Sequence, residues 1–340
     1  MRTGIRLGDY EVLMPLGSGG AGSVYRVRHV ESGREYGLKT LSVGNEFNEE
    51  IQNRYVREVS IAQRLSSPYL MSYTDSGYDE ATGQLYYVME FVPWGTLHDV
   101  LQRRGRLPWR DAVECGIQLC RGLAVLHGER IVHRDLKPAN IFLSDEGHLK
   151  IGDFGLARDL QSERLTLEGK TVGTLQYFAP EQAMGRTDLD GRADLYALGC
   201  LLFEMVSGRT PFASAKSQDL FECHVKLPPP KLREVFEDCP EELSQLVDWL
   251  LAKRPADRPQ SADETEQILT KILESSAEDT PSSPRVAAPI TVGRAVVDST
   301  LTKRLIEDAG SPAKEISTGK WLLIAGILIV LVAAAVMLQR

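Results

Sequence analysis

Gly17-Ser18-Gly19-Gly20-Ala21-Gly22-Ser23-Val24 spaces its glycines as G-x-G-x-x-G-x-V. Such a loop lets backbone N–H groups approach phosphate oxygens with no side chain in the way, which is nucleotide-binding chemistry. The neighbouring residues decide which kind. A dinucleotide fold needs a helix directly after the glycines, whereas Tyr25-Arg26-Val27-Arg28 alternates as a strand and Gly33 follows as a turn. A Walker A loop needs Gly-Lys followed by Ser or Thr, and Leu38 interrupts the nearest approach, Gly37-Leu38-Lys39-Thr40. What remains is two strands joined by a glycine loop. Lys39 stands at the end of a third strand, Glu35–Lys39, where its ammonium can meet phosphate charge.

A sheet and a helix must hold these groups. Between Glu49 and Leu65 the residues Ile51, Tyr55, Val59, Ala62 and Leu65 recur at three and four, the apolar face of one helix. Glu58 shares that inward face, where a carboxylate costs several kcal/mol unless a cation meets it. Pairing Lys39 with Glu58 accounts for both: the lysine would hold the α- and β-phosphates while the glutamate fixes its ammonium. The first ninety residues read mainly as strands with this one helix, and the remainder to about Leu273 mainly as helices. The fold class is therefore α+β.

Ile131-Val132-His133-Arg134-Asp135-Leu136-Lys137-Pro138-Ala139-Asn140 carries the pattern H-R-D-x-x-x-x-N, and Asp153-Phe154-Gly155 follows at short range. Ala179-Pro180-Glu181, Asp194-Leu195-Tyr196-Ala197-Leu198-Gly199 and Arg258 in a P-A-D-R-P stretch come later, in that order. From about Leu7 to Leu273 the chain resembles the eukaryotic-type protein kinases, particularly their bacterial membrane-bound Ser/Thr branch. The resemblance implies a bilobal fold, with a small antiparallel β-sheet lobe and one key helix at about 7–90, a hinge at 90–95, and a larger helical lobe at about 96–273. It implies ATP as the nucleotide and Mg2+, with Mn2+ as a substitute, as the metal. By the same resemblance Asp135 would accept or orient the proton of a substrate hydroxyl, and Lys137 would steady the transferring phosphate. Asn140 and Asp153 would hold the metal through oxygen ligands. The nucleotide would lie among Leu16, Gly17, Ser18, Gly19, Gly20, Gly22, Val24 and Lys39. Met89 would be the gatekeeper, the backbone of Glu90-Phe91-Val92 would meet the adenine edge, and Val24 and Leu143 would sandwich the base.

Lys137 followed by Pro138 is the pattern of Ser/Thr rather than tyrosine kinases, and Gly173-Thr174 agrees, with the Thr174 hydroxyl reaching Asp135 and Lys137. The expected reaction is transfer of the γ-phosphoryl of ATP to serine and threonine hydroxyls of proteins. In the family the arginine at Arg134 awaits a phosphate on the activation segment. Among Ser162, Thr166, Thr171 and Thr174, Thr166 and Thr171 are the favoured acceptors, modified in trans within a homodimer of kinase domains. His133 and the pair Glu181–Arg258 are read as structural. Gly37 stands where alanine is usual, which removes part of the adenine pocket ceiling. The competing function is a catalytically silent pseudokinase acting as a membrane scaffold. Such proteins lose the equivalents of Lys39, Asp135 or Asp153, and all three are present.

The 340 residues are 43% hydrophobic and 25% charged, ordinary globular material. A formal charge of −8 argues against nucleic acid as a partner. Cys115, Cys120, Cys200, Cys223 and Cys239 are odd in number and form no C-x-x-C pair, so they read as reduced thiols. Residues 274–319 are rich in Ser, Thr, Pro, Ala and charge and read as a flexible juxtamembrane linker. At the C-terminus, 320–338 reads as a transmembrane helix: Trp321 to Leu338 runs without a charge, and at about 1.5 Å per residue it approaches the ~30 Å of a bilayer core. The first residues hold no apolar block, so the expectation is a single-pass protein of the plasma (inner) membrane with its kinase domain cytoplasmic.

Overall fold

In a computed structural model of the chain, the residues described are 5–19, 22–41, 49–80, 83–154, 175–214, 216–278 and 300–307. The first lobe is an antiparallel sheet of β1 (Arg6–Leu7), β2 (Tyr10–Gly19), β3 (Gly22–His29), β4 (Glu35–Leu41), β5 (Tyr73–Asp79) and β6 (Gln84–Glu90), in the order β1-β2-β3-β4-β6-β5. Helix α1 (Glu49–Ala62) packs beside β5.

Side chains alternate across a strand, and here the alternation separates two cores. Leu85, Tyr87 and Met89 enter the large cluster that continues into the second lobe, whereas Tyr86 and Val88 enter a smaller one with Leu7, Tyr10, Val12, Tyr25, Val27 and Leu38. Register carries the same division across the sheet. Lys39 lies opposite Tyr87 on one side and Val24 on the other, and Gly37 lies opposite Met89. Residues directly opposite share a face, so Gly37, Lys39 and Val24 belong to the face that looks toward the second lobe.

The second lobe begins with α2 (Leu97–Arg104), started by a capping box in which Thr96 and Asp99 satisfy each other's backbone N–H. Helix α3 (Trp109–Gly128) follows, then the hairpin β7 (Ile141–Leu143) and β8 (Leu149–Ile151). After residue 174 come α4 (Pro180–Ala183), α5 (Arg192–Ser207), α6 (Ser217–Lys226), α7 (Leu232–Val235), α8 (Glu241–Leu250) and α9 (Ala262–Glu278). Helix α5 is apolar nearly all round and buried accordingly, the helix on which the lobe is assembled. Ile151 ties the lobes together: it bridges Leu70, and its carbonyl accepts the Met71 N–H at 2.9 Å. All five cysteines are free thiols, and Cys115, Cys120, Cys200 and Cys239 are buried.

The C-terminal part departs from the reading of 274–319 as a tether. Helix α9 continues to Glu278, and a further helix α10 (Thr300–Glu307) docks on the second lobe with Leu301 and Leu305 fully buried. Overall composition concealed this, because two leucines one turn apart suffice to seat a short helix in an existing groove. Among the described residues no helix is long and apolar enough to cross a membrane, and Trp321 to Leu338 lie outside them.

Candidate active site

The loop from His133 to Asn140 is held from beneath by α5. Asp194 in the first turn of that helix accepts the backbone N–H groups of His133 and Arg134, each at 2.8 Å, and faces His127 Nε2 at 2.9 Å. Burial pushes the Asp194 carboxyl up, but His127, His133 and these bonds outweigh it and hold it below the usual carboxylate range. His133 is fully buried; its Nδ1 accepts the Asp135 N–H at 3.1 Å, which leaves Nε2 to donate to the Gly152 carbonyl at 3.0 Å. The ring is a brace, with both nitrogens engaged by backbone.

On that frame Asp135, Lys137 and Asn140 converge. Lys137 Nζ donates to Asp135 Oδ2 at 3.0 Å, and Asn140 Nδ2 donates to the Asp135 carbonyl at 2.8 Å and to Oδ2 at 3.3 Å. The Asn140 NH2 group is thereby spent on Asp135, and its amide oxygen is the part able to act as a ligand.

Asp153 closes the site from the end of β8. Its backbone is left-handed at φ +59°, which costs a non-glycine residue about 1–2 kcal/mol. The Tyr73 hydroxyl accepts its N–H at 2.9 Å. Tyr87 donates to Asp153 Oδ1 at 2.5 Å and Lys39 Nζ to Oδ2 at 2.7 Å. Burial raises the Asp153 carboxyl, but the Lys39 charge and the two donated bonds prevail and hold it below its ordinary value. Tyr73 also meets Phe154 edge-on at 5.1 Å between ring centres, so the phenylalanine packs while its neighbour faces the cleft.

The pairing of Lys39 with Glu58 is corrected by this geometry: the ion pair Lys39 makes is with Asp153. Glu58 is half-buried beside the buried Val59, with its Oε2 shielded from solvent, so it faces inward as its three-four spacing indicates but does not meet Lys39. Sequence reasoning missed Tyr73 and Tyr87. For Tyr87 the signal was available, since it lies in the apolar strand β6 and a hydroxyl buried there requires a partner; Tyr73 opens the polar strand β5 and carried no such signal. It also missed Lys150, which holds the hinge residue Glu90 through bonds of 2.9 and 2.8 Å while Glu90 Oε1 accepts the Ser72 N–H at 2.8 Å.

The remaining residues assigned to the nucleotide fall on β2, β3, β6, β7 and the hinge. Leu16, Gly17, Ser18 and Gly19 end β2, and Gly22 and Val24 begin β3, with Gly17 opposite Val24. At Gly22, φ is +138° and a Cβ would fall 1.7 Å from the Thr40 carbonyl oxygen, so only glycine lets the hairpin lie this close to β4. Val92 packs against the main core, Leu143 is fully buried, and Met89 lies behind Gly37. A Cβ at Gly37 would meet Met89 Cγ and Cε at 3.2 Å, so an alanine there would require the methionine to shift by a few tenths of an ångström. Gly20, Ser162, Thr166, Thr171 and Thr174 lie outside the described residues.

The sequence profile of the protein kinase domain matches residues 10–271. The chain belongs to the protein kinase family. It is 36% identical over 264 residues to the serine/threonine-protein kinase PknA of Mycobacterium tuberculosis, covering 76% of this chain and 60% of PknA. To the serine/threonine-protein kinase PknB of Mycolicibacterium smegmatis it is 34% identical over 346 residues, covering 97% of this chain and 55% of PknB. The chain thus spans somewhat over half the length of either relative. The crystal structure of the PknI kinase domain of Mycobacterium tuberculosis superposes with a TM-score of 0.64 at 27% identity, over 80% of this chain and 98% of that domain.

Protein kinases use a nucleotide with a divalent metal, and the donor set here suits a hard cation. A carboxylate, an amide oxygen and the nucleotide's own phosphates are what Mg2+ takes where no all-protein cage exists, and among the described residues no cluster of three or more His, Cys, Asp or Glu offers such a cage. Asp153 and Asn140 are the residues that would hold it.

Removing the Tyr87 hydroxyl tests the brace on Asp153. Tyr87→Phe keeps the ring and loses one hydrogen bond to a carboxylate, so it is expected to destabilise the kinase by about 1.5–3 kcal/mol at neutral pH. Asp153 titrates below its unfolded value, so the stability it confers is present above the ordinary carboxylate pKa and is lost as pH falls through the folded one. The gap between wild type and variant in urea unfolding is therefore expected to narrow below about pH 4. A gap that stays constant down to acid would refute the brace.

Proposed function

We propose that this chain is a serine/threonine protein kinase that transfers the γ-phosphoryl of ATP to protein hydroxyls and phosphorylates its own activation segment in trans. The observation that carries the reading is the meeting of Lys39 and Asp153 at 2.7 Å, from opposite sides of the cleft, beside the cluster of Asp135, Lys137 and Asn140. Bound Mg2+ would supply neutralisation of phosphate charge. Lys39 meets the α- and β-phosphates, the backbone between Gly17 and Gly22 covers them, and Met89, Val24 and Leu143 fix the base. Asp135 accepts the proton of the substrate hydroxyl and aligns the attacking oxygen, while Lys137 steadies the phosphoryl group in flight. Lys137-Pro138 and the serine/threonine-protein kinase relatives support serine and threonine as acceptors.

The test is label transfer from γ-labelled ATP by the full chain in detergent, with Mg2+ and a generic basic protein. Transfer to serine and threonine is expected, together with phosphopeptides from 155–174. Transfer to neither substrate nor the chain itself would leave the silent scaffold as the better reading.

Trp321 to Leu338 is proposed as a single membrane span holding the catalytic domain at the cytoplasmic face, supported by its unbroken apolar run. The full chain is expected to float with phospholipid vesicles in a density gradient even at 1 M salt, where charge-driven adsorption is screened to about 3 Å. Release of the chain by salt would contradict a span.

A further inference from the structure

Helix α10 has no part in the site described above, yet it is seated with specific contacts. Leu301 and Leu305 are fully buried within the second-lobe core and Ile306 packs against it, while Lys303 and Arg304 are exposed. Arg304 Nη2 donates to Asp111 Oδ1 at 3.0 Å and to Glu114 Oε2 at 3.1 Å, two acids one turn apart at the start of α3. From the last turn of α2, Arg104 Nη2 donates to the Arg304 carbonyl at 2.8 Å, placing a cation on the end of α10 where carbonyls lack helix partners. Isolated helices of this length do not persist in water, so the groove is what makes the segment helical.

We propose that the end of α2 and the first half of α3 form a docking site for a basic amphipathic helix, and that its occupant is this chain's own Thr300–Glu307 segment. Two apolar seats a turn apart select the leucines, and the pair Asp111 and Glu114 selects the arginine between them. Residues 279–299 join the segment covalently to α9, which presents it at an effective concentration on the order of mM, above that of a second copy in dilute solution. The chain is thereby fastened to the second lobe at Glu307, and its path onward starts there and not at Glu278. Undocking would lengthen the connection and uncover an apolar, acid-rimmed groove beside the helix that follows the hinge.

Trypsin reads the latch directly, because Lys303 and Arg304 are exposed but cut only when the helix unfolds. In the full chain, Leu301→Asp with Leu305→Asp is expected to speed cleavage at these two bonds at least ten-fold while other sites cut at the wild-type rate. A labelled peptide of residues 297–310 is expected to bind this emptied variant at least ten-fold more tightly than wild type. Should the double variant fail to fold, Arg304→Glu gives the same cleavage readout, and Asp111→Lys with Glu114→Lys is expected to restore its protection. Equal cleavage in wild type and variant, equal or absent peptide binding to both, or no rescue by charge reversal would each overturn the assignment. So would light scattering that shows wild type as a dimer cross-linked through 300–307 of the other copy.

Discussion

The Asp135→Asn variant is expected to turn over about a thousand-fold more slowly than wild type, with its KM for ATP changed by no more than about two-fold. The loss corresponds to about 4 kcal/mol of transition-state stabilisation. The substitution is nearly isosteric, and the bonds that shape the loop do not depend on the carboxylate charge: the Asp135 N–H goes to His133 and its carbonyl to Asn140. Lys39, Asp153 and the glycine loop are untouched, so nucleotide binding persists. What disappears is a base able to take the hydroxyl proton and the charge that Lys137 meets at 3.0 Å. Single-turnover kinetics with labelled ATP separates the chemical step from binding. A variant that transfers phosphate at the wild-type rate, or one that loses ATP affinity in step with rate, would remove Asp135 from the role proposed for it.

Arg258→Met is expected to destabilise the fold by about 3–5 kcal/mol, lowering the midpoint of thermal unfolding on the order of 10 °C. Arg258 is 1% exposed, and its guanidinium uses all of its donors: both Glu181 oxygens at 2.7 and 2.8 Å, and the carbonyls of Ala252, Arg192 and Lys253 at 2.8, 2.9 and 3.0 Å. Tyr196 lies beneath it at 4.9 Å. Removing the arginine leaves a buried carboxylate and three carbonyls without those donors, and that desolvation is the larger part of the loss. The double variant Arg258→Met, Glu181→Leu is therefore expected to regain part of the stability, because it removes the buried charge, but not all, because the carbonyls remain. Urea unfolding of the two single variants and the double completes the cycle. Independent, additive losses would show that the pair does not act as one unit.

The same residues show how far the one-dimensional pattern reaches. Glu181 and Arg258 were legible as a pair only through motif resemblance, since 77 positions separate them. Lys39 was legible as a candidate phosphate ligand from its place after the glycine loop, but the partner it meets in the structure was not. The helix face pointed to Glu58, and two tyrosines instead bring Asp153 to the lysine from 114 positions away. The tether reading failed at α10 because composition averages over dozens of residues while docking needs only Leu301, Leu305 and Arg304. Gly37 read as a missing methyl group, and only the sheet register placed Met89 directly opposite it.

By itself the sequence determined which side chains could do chemistry, which of them share a strand or helix face, and the order of lobes that such periods and motifs imply. These are local properties, set by backbone geometry over a few residues. Only the tertiary structure decided which charges meet: Asp153 with Lys39 and Tyr87, Glu181 with Arg258, Arg304 with Asp111 and Glu114. Each of those contacts joins elements distant in the chain. Their proximity is the outcome of packing the whole core, and no window of sequence contains it.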